Sequence, residues 1–365
     1  MDHIRSNISL RSGTVDIKNI LVTNKQGNPD NVGGGPVVQY DRMNFTEQDV
    51  IIIAVDKRIK GEIDDYLQDC GAERIDLRSG IVKYEDIYNR IRPLADNFPA
   101  NIMGINEPLN CYGGRIVWTC WWQGEADAPD IVKVCWQSQR KNLSEDIKHV
   151  IITKDNYSDY ITIPDYVLDK FEDDKNAIAH LSDFIRASLL YKYGGVWLDA
   201  TVLLLEKLPE ECWELPLYSW RSDKIDNMTL FGSEFKWTTW FLTAQKGSAL
   251  YQFIMEAFLY YFSVYNRIDY YFTLDFFISI GINILEGVSE QFLNIPYNNE
   301  TAARLIGHLN EPYSEEKFRQ YCEGSFLQKL SWHRNDYPKG SIFDYLVSGN
   351  VGTEPALLKE QDPLE

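Results

Sequence analysis

The stretch Leu181-Ser182-Asp183-Phe184-Ile185-Arg186-Ala187-Ser188-Leu189-Leu190-Tyr191-Lys192-Tyr193-Gly194-Gly195-Val196-Trp197-Leu198-Asp199-Ala200-Thr201-Val202-Leu203-Leu204-Leu205 decides how this chain is read. Through residues 177–193 the apolar side chains Ile178, Leu181, Ile185, Leu189 and Leu190 recur at helical spacing. Asp183 and Arg186 stand three apart, so both lie on one face of that helix. Gly194-Gly195 is its expected stop, because glycine accepts the left-handed backbone that ends a helix. Residues 196–205 then read as one strand, with Trp197, Asp199 and Thr201 on one side and Leu198, Ala200 and Val202 on the other. A carboxylate and a hydroxyl are thereby expected on the face near the Asp183–Arg186 pair.

Those residue types suit a nucleoside diphosphate sugar. Departure of the diphosphate needs its charge neutralised, and a hard divalent ion with oxygen ligands such as Asp199 supplies that. Arg186 adds a planar, permanent positive charge, and Asp183 accepts hydrogen bonds from sugar hydroxyls. The plain alternative is a surface ion pair of little energetic weight, followed by a strand whose aspartate marks a turn. Residue types alone leave both readings open.

Outward from this stretch the chain alternates strands and helices. Residues 115–122 read as a strand, 130–140 as a helix behind Pro129, and 149–153 as the next strand, a Rossmann-like beginning. The large domain is expected over 115–350 and a flexible tail over 351–365. Residues 80–114, with Pro93, Pro99, Pro108 and Gly113-Gly114, read as a connection, giving a linker over 81–114. Residues 1–80 read as a small α/β module: strands at 17–22, 49–55 and 74–77, with a helix at about 60–69. It resembles the latter part of Rossmann-like modules that precede some bacterial sugar-transfer domains. It lacks their opening unit, since Gly33-Gly34-Gly35 follows no strand in the required pattern, so a scaffold role without dinucleotide binding is expected.

Composition narrows the function classes. The chain has 365 residues and a formal net charge of −18, which repels phosphate backbones and argues against nucleic acid as a partner. Ten tryptophans and twenty-two tyrosines supply ample core and flat faces for sugars and bases. The first residues carry no signal-like apolar segment, and no run reaches the ~18 apolar residues of a membrane helix. The aromatic run 258–262 is read as a buried helix. Cys70, Cys111, Cys120, Cys135, Cys212 and Cys322 form no Cys-x-x-Cys pair, so reduced thiols and a cytoplasmic location are expected.

The run Ser182-Asp183-Phe184-Ile185-Arg186, continued by residues 189–201, closely resembles the signature of capsular polysaccharide synthesis proteins. These group with the glycosyltransferases whose sugar-binding region contains a DXD motif (family 32-like). The resemblance extends over about residues 115–332. It implies an α/β, A-type glycosyltransferase fold and metal-dependent transfer from a nucleotide sugar with retention of configuration. Asp183 and Arg186 match the helix residues that hold the donor sugar, and Asp199 matches the first aspartate of the motif as a metal ligand. Thr201 stands where many relatives have the second aspartate, which makes it the weaker ligand of the pair. Trp121 best matches a tryptophan that stacks on the nucleobase. Trp118, on the opposite face of the strand, is the second candidate, and core burial is the alternative for each.

Residues 237–244 with Lys246-Gly247 resemble a segment beside the donor pocket. Asp275 is an isolated carboxylate in an aromatic stretch, read as facing the acceptor and deprotonating or orienting its hydroxyl, with a hydrogen-bonded helix aspartate as the alternative. Lys329-Leu330-Ser331-Trp332-His333 is similar to a C-terminal loop that closes over the donor. Trp332 is assigned there to the donor and His333 to the diphosphate or metal. The expectation is a retaining hexosyltransferase using a UDP-sugar with Mn²⁺ or Mg²⁺ to extend a capsular or surface polysaccharide. Its acceptor would be a glycan or lipid-linked glycan, with peripheral association at the inner membrane face beside membrane-bound polysaccharide machinery. The rival reading is a non-catalytic nucleotide-sugar- or glycan-binding subunit of a polysaccharide assembly complex. A Rossmann oxidoreductase fails on the missing glycine fingerprint.

Overall fold

The computed structural model describes residues 78–99 and 114–350 apart from 172–177, 222–236, 269 and 335, with short stretches of the N-terminal part at 19–22, 26, 30–32, 35–39, 50–53 and 73–76. In that N-terminal part, strand β1 (Ile20–Val22) pairs in parallel with β3 (Gly35–Gln39), whose other partner is the antiparallel β2 (Asn31–Val32). Strands β4 (Val50–Ile53) and β5 (Glu73–Asp76) form a separate parallel pair, the arrangement a continuous apolar run favours. The helix expected at about 60–69 and the tail over 351–365 lie outside the described residues, as do Gly33-Gly34.

A helix the sequence does not announce comes next. Residues Arg78–Ala95 form α1, inside the stretch read as a connection. Ile87, Ile91 and Ala95, four apart, are buried on one face, and Phe98 follows them into the same cluster as the large domain's helices. The prolines that suggested a linker do not prevent this, because Pro93 stands in the final turn of the helix, and burial of that apolar stripe outweighs the local break signal.

The central sheet has five strands in the order β10-β11-β8-β6-β7. Strand β6 (Arg115–Cys120) lies parallel to both β7 (Ile147–Ile152) and β8 (Gly195–Leu198). Strand β11 (Phe241–Ala244) runs antiparallel to β8 and to β10 (Leu217–Ser219), so the sheet is mixed. Helix α2 (Asp130–Asn142) connects β6 to β7; Asp130 in its first turn and Arg140 and Lys141 in its last complement the helix dipole. Along β7, Val150 and Ile152 enter the larger apolar cluster while Ile151 enters the smaller one, so the sheet separates two cores. The larger core is built by α3 (Ile178–Tyr193), α4 (Ala249–Val264) and α5 (Thr273–Ile284), with α1 packed on α4 and α5. The aromatic run 258–262 is buried within α4, as its pattern predicts. Among the described residues, no helix is long and apolar enough to cross a membrane.

The stretch that opens the reading differs from expectation at one point. Residues 196–205 are not one strand. The chain leaves the sheet after Leu198, turns through Asp199-Ala200-Thr201, and resumes as β9 (Val202–Leu204). The Val202 amide donates to the Asp199 carbonyl at 3.0 Å and closes the turn. Strand β9 pairs with β12 (Leu327–Lys329), outside the main sheet. Alternation along the sequence cannot show such a break, because the apolar residues on both sides of the turn remain buried.

Candidate functional site

Topology brings the candidate residues to one edge. Trp121 and Asp199 directly follow the parallel strands β6 and β8, so they emerge on the same side of the sheet. Strand β11 runs the other way, so Thr239 and Trp240, which precede it, stand at that edge too. Carboxyl ends of parallel strands are where open α/β sheets bind ligands. Helix α3 returns to the start of β8 through Gly194-Gly195, which puts Asp183 and Arg186, two to three turns back along it, at the same edge. This tight return requires glycine. Gly194 has φ +71° and a Cβ there would lie 2.6 Å from the Lys246 amide nitrogen; Gly195 has φ +94° and its Cβ would lie 2.5 Å from the Ile116 carbonyl oxygen.

The inner part of the site is an ion cluster. Arg186 Nη1 lies 3.3 Å from Asp183 Oδ1, and Nη2 donates to Asp199 Oδ1 at 3.1 Å. Arg186 also donates to the Thr239 carbonyl, and its guanidinium lies 4.7 Å from the centre of the Trp197 ring. Its Nε is buried without a hydrogen-bond partner. The side chains of Arg186 and Asp183 are 6% and 12% exposed, whereas that of Asp199 is 26% exposed, so the cluster opens at Asp199. His180, one turn before Asp183, is buried with Nδ1 3.6 Å from Asp183 Oδ2.

Asp199 is held from several sides. Its amide donates to the Trp240 carbonyl at 2.9 Å, and the Trp197 indole donates to Oδ1 at 2.9 Å. The Gln139 side chain of α2 donates to the Val202 carbonyl at 2.8 Å and so braces the turn. Burial opposes ionisation of Asp199, yet Lys329, Arg186 and the Trp197 indole outweigh it and hold its carboxyl below the usual carboxylate range.

Lys329 is the residue that sequence reasoning missed. Its ammonium donates to Asp199 Oδ2 at 3.1 Å and to Thr201 Oγ1 at 2.5 Å. The β9–β12 ribbon delivers it, since Lys329 pairs with Val202. The only signal in the sequence is its place at the head of the Lys329–His333 run, with no partner indicated.

Other expectations separate. Trp118 is fully buried, its indole donating to the Gly194 carbonyl at 2.9 Å, with its ring against Tyr160 and Tyr193. It is a core residue and not a ligand contact, because its face of β6 looks into the larger core. Trp121 is half-buried, its ring 5.5 Å from that of Trp332, and its Nε1 has no hydrogen-bond partner. Trp332 is exposed at 44%, and His333 lies against it at 4.5 Å between ring centres. Asp275 is buried on α5 and accepts from the Trp237 indole at 3.1 Å. Burial, then the Asp183 charge, raises its carboxyl to about 7 against the opposing Trp237 and Arg186. It is a buried, hydrogen-bonded helix aspartate within reach of the charges of Asp183 and Arg186. Among the described residues, no three His, Cys, Asp or Glu side chains converge as a metal-binding group.

Over 34 residues the chain is 59% identical to "Glycosyltransferase afumC" of Aspergillus fumigatus (strain CBS 144.89 / FGSC A1163 / CEA10), a match that spans 9% of this chain and 9% of that relative. A much longer match, over residues 77–346, is to the capsular polysaccharide synthesis proteins. It begins at the helix α1 that the linker reading left out and takes in the whole edge described above. The chain belongs to the capsular polysaccharide synthesis protein family.

Proposed function

We propose that the protein is a glycosyltransferase that moves a hexose from a nucleotide sugar, UDP-linked, to a growing capsular or surface glycan. The mixed sheet with one interior strand reversed supports this reading; we take it as an A-type fold and assign the donor to the carboxyl edge of β6 and β8. The observation that carries it is the Asp183–Arg186–Asp199 cluster, buried at its base and open at Asp199. The buried guanidinium is tied to two carboxylates, and it holds the more exposed of them, Asp199, in place. Trp121 and Trp332, whose rings meet edge to face at 5.5 Å, offer flat apolar faces for a base. Donor sugar hydroxyls are assigned to Asp183 and the departing diphosphate to the basic groups at the mouth. Transfer with retention follows if the acceptor hydroxyl attacks from the side on which the diphosphate leaves.

The test is turnover. The purified chain should release UDP from at least one member of a UDP-sugar panel, and Asp199→Ala should abolish that release while the protein stays folded. Binding of nucleotide sugar with no turnover by any donor would support instead a binding subunit of an assembly complex.

A further inference from the structure

The resemblance implies a divalent ion, Mn²⁺ or Mg²⁺, held by Asp199 and Thr201, with His333 assigned to the diphosphate or the ion; His333 lies against Trp332. The donors as they stand do not fit one. Such an ion at a diphosphate takes one or two protein oxygens and fills its remaining places with water and phosphate oxygens, and here both protein donors are already engaged. Asp199 Oδ1 is taken by Arg186 and the Trp197 indole, and Oδ2 by Lys329. Thr201 Oγ1 is taken by the same ammonium. A cation of the protein's own therefore stands between the two motif residues.

We infer that Lys329 replaces the metal: its ammonium, anchored on Asp199 and Thr201, meets the leaving diphosphate, and the enzyme works without a divalent ion. This rests on the transferase reading above. An ammonium has three N–H bonds. Two of those on Lys329 are used by Asp199 and Thr201. The side chain is 25% exposed, so the third can point out of the protein to a phosphoryl oxygen. Asp199 and Thr201 then act as positioning residues for Lys329. Arg186 lies behind them, engaged by Asp183, Asp199 and the Thr239 carbonyl, and holds the frame.

In the step itself, the bond between the anomeric carbon and the β-phosphate oxygen breaks and its electron pair goes to that oxygen. The acceptor hydroxyl oxygen bonds to the anomeric carbon, and its proton passes to the departing phosphate oxygen. Lys329 gives a hydrogen bond to the developing charge and keeps its protons.

The experiment measures UDP release from the UDP-sugar panel by the full chain, in EDTA and in Mn²⁺, for wild type, Lys329→Ala and Lys329→Arg. Wild type should turn over equally in both media. Lys329→Ala should fall about 100-fold in EDTA, and Lys329→Arg should keep part of the activity. Mn²⁺ should raise Lys329→Ala, because the vacated place exposes Asp199 and Thr201, and should leave wild type unchanged. A lysine that served packing alone would give no such dependence on the metal. Wild type that is silent in EDTA and restored by Mn²⁺ overturns the inference and leaves the transferase reading intact, as does Lys329→Ala that matches wild type in EDTA. Should Lys329→Ala fail to fold, the wild-type comparison decides alone. Absence of turnover with every donor defeats the transferase reading instead. Calorimetric binding of UDP in EDTA then decides for Lys329: loss in the alanine variant supports it, and equal binding overturns it.

Discussion

Two ion pairs meet at Asp199 and differ in what surrounds them. The inner pair, Asp183–Arg186, lies on one helix and is almost wholly enclosed. The outer pair, Asp199–Lys329, joins residues 130 apart and is a quarter exposed on each side. Enclosure makes the inner pair a fixed part of the frame, since a buried charge cannot lose its partner without a large cost. Exposure lets the ammonium of the outer pair meet an arriving anion with its third N–H bond. The difference teaches that charge type alone does not assign roles; access does.

The comparison can be broken first at Arg186. Arg186→Ala leaves the enclosed Asp183 carboxylate without its cation. It should cost about 3–5 kcal/mol of stability and remove detectable donor turnover, with denaturant unfolding and UDP release as the measurements. Unchanged stability would show that the inner pair is not the frame. Asp199→Asn tests the outer pair. The amide keeps the shape but not the charge that anchors Lys329, so turnover should drop about 100-fold with a far smaller change in unfolding midpoint. Gly194→Ala reaches the frame through the backbone. Its added Cβ meets the Lys246 amide and the Ala244 carbonyl, and the loss should be about 2 kcal/mol, seen in thermal unfolding.

Smaller effects sharpen the contrast. Trp332→Ala removes an exposed aromatic face, so UDP affinity should fall about tenfold in calorimetry with stability unchanged. Trp118→Phe should do the opposite, lowering stability and sparing affinity. A separate effect concerns pH. The Asp275 carboxyl is raised from 3.8 to about 7, so the folded state binds its proton more tightly than the unfolded state. Its contribution to stability is present below 3.8 and is lost as pH rises through about 7. Asp275→Asn should flatten that part of the stability profile, measured by unfolding at a series of pH values.

Much of the frame was legible in the sequence. The helix that carries Asp183 and Arg186, its glycine stop and the following strand are set by local periodicity and by the backbone freedom of Gly194 and Gly195, and these signals act over a few residues. The parallel pairing of β6 with β7 also follows from a strand, a helix and a strand in succession. What stayed hidden depends on distant pairing. Lys329 reaches Asp199 only because β12 pairs with β9, and no local pattern encodes that contact. The alternation along β6 separates Trp118 from Trp121 but does not say which face is covered, since both rings are equally apolar. Helix α1 was masked by the prolines around it, whose local signal is weaker than the tertiary burial of Ile87 and Ile91.

The turn after Leu198 also has a mechanical meaning. It divides the edge between two bodies, the five-stranded sheet that ends at Leu198 and the β9–β12 ribbon that begins at Val202. Lys329 fastens the ribbon to the joint through Asp199 and Thr201, and its amide is bonded in turn to the Ala302 carbonyl at 2.6 Å. One residue thus ties the end of the sheet, the ribbon and the 302 segment together, so a ligand that meets Lys329 meets all three at once.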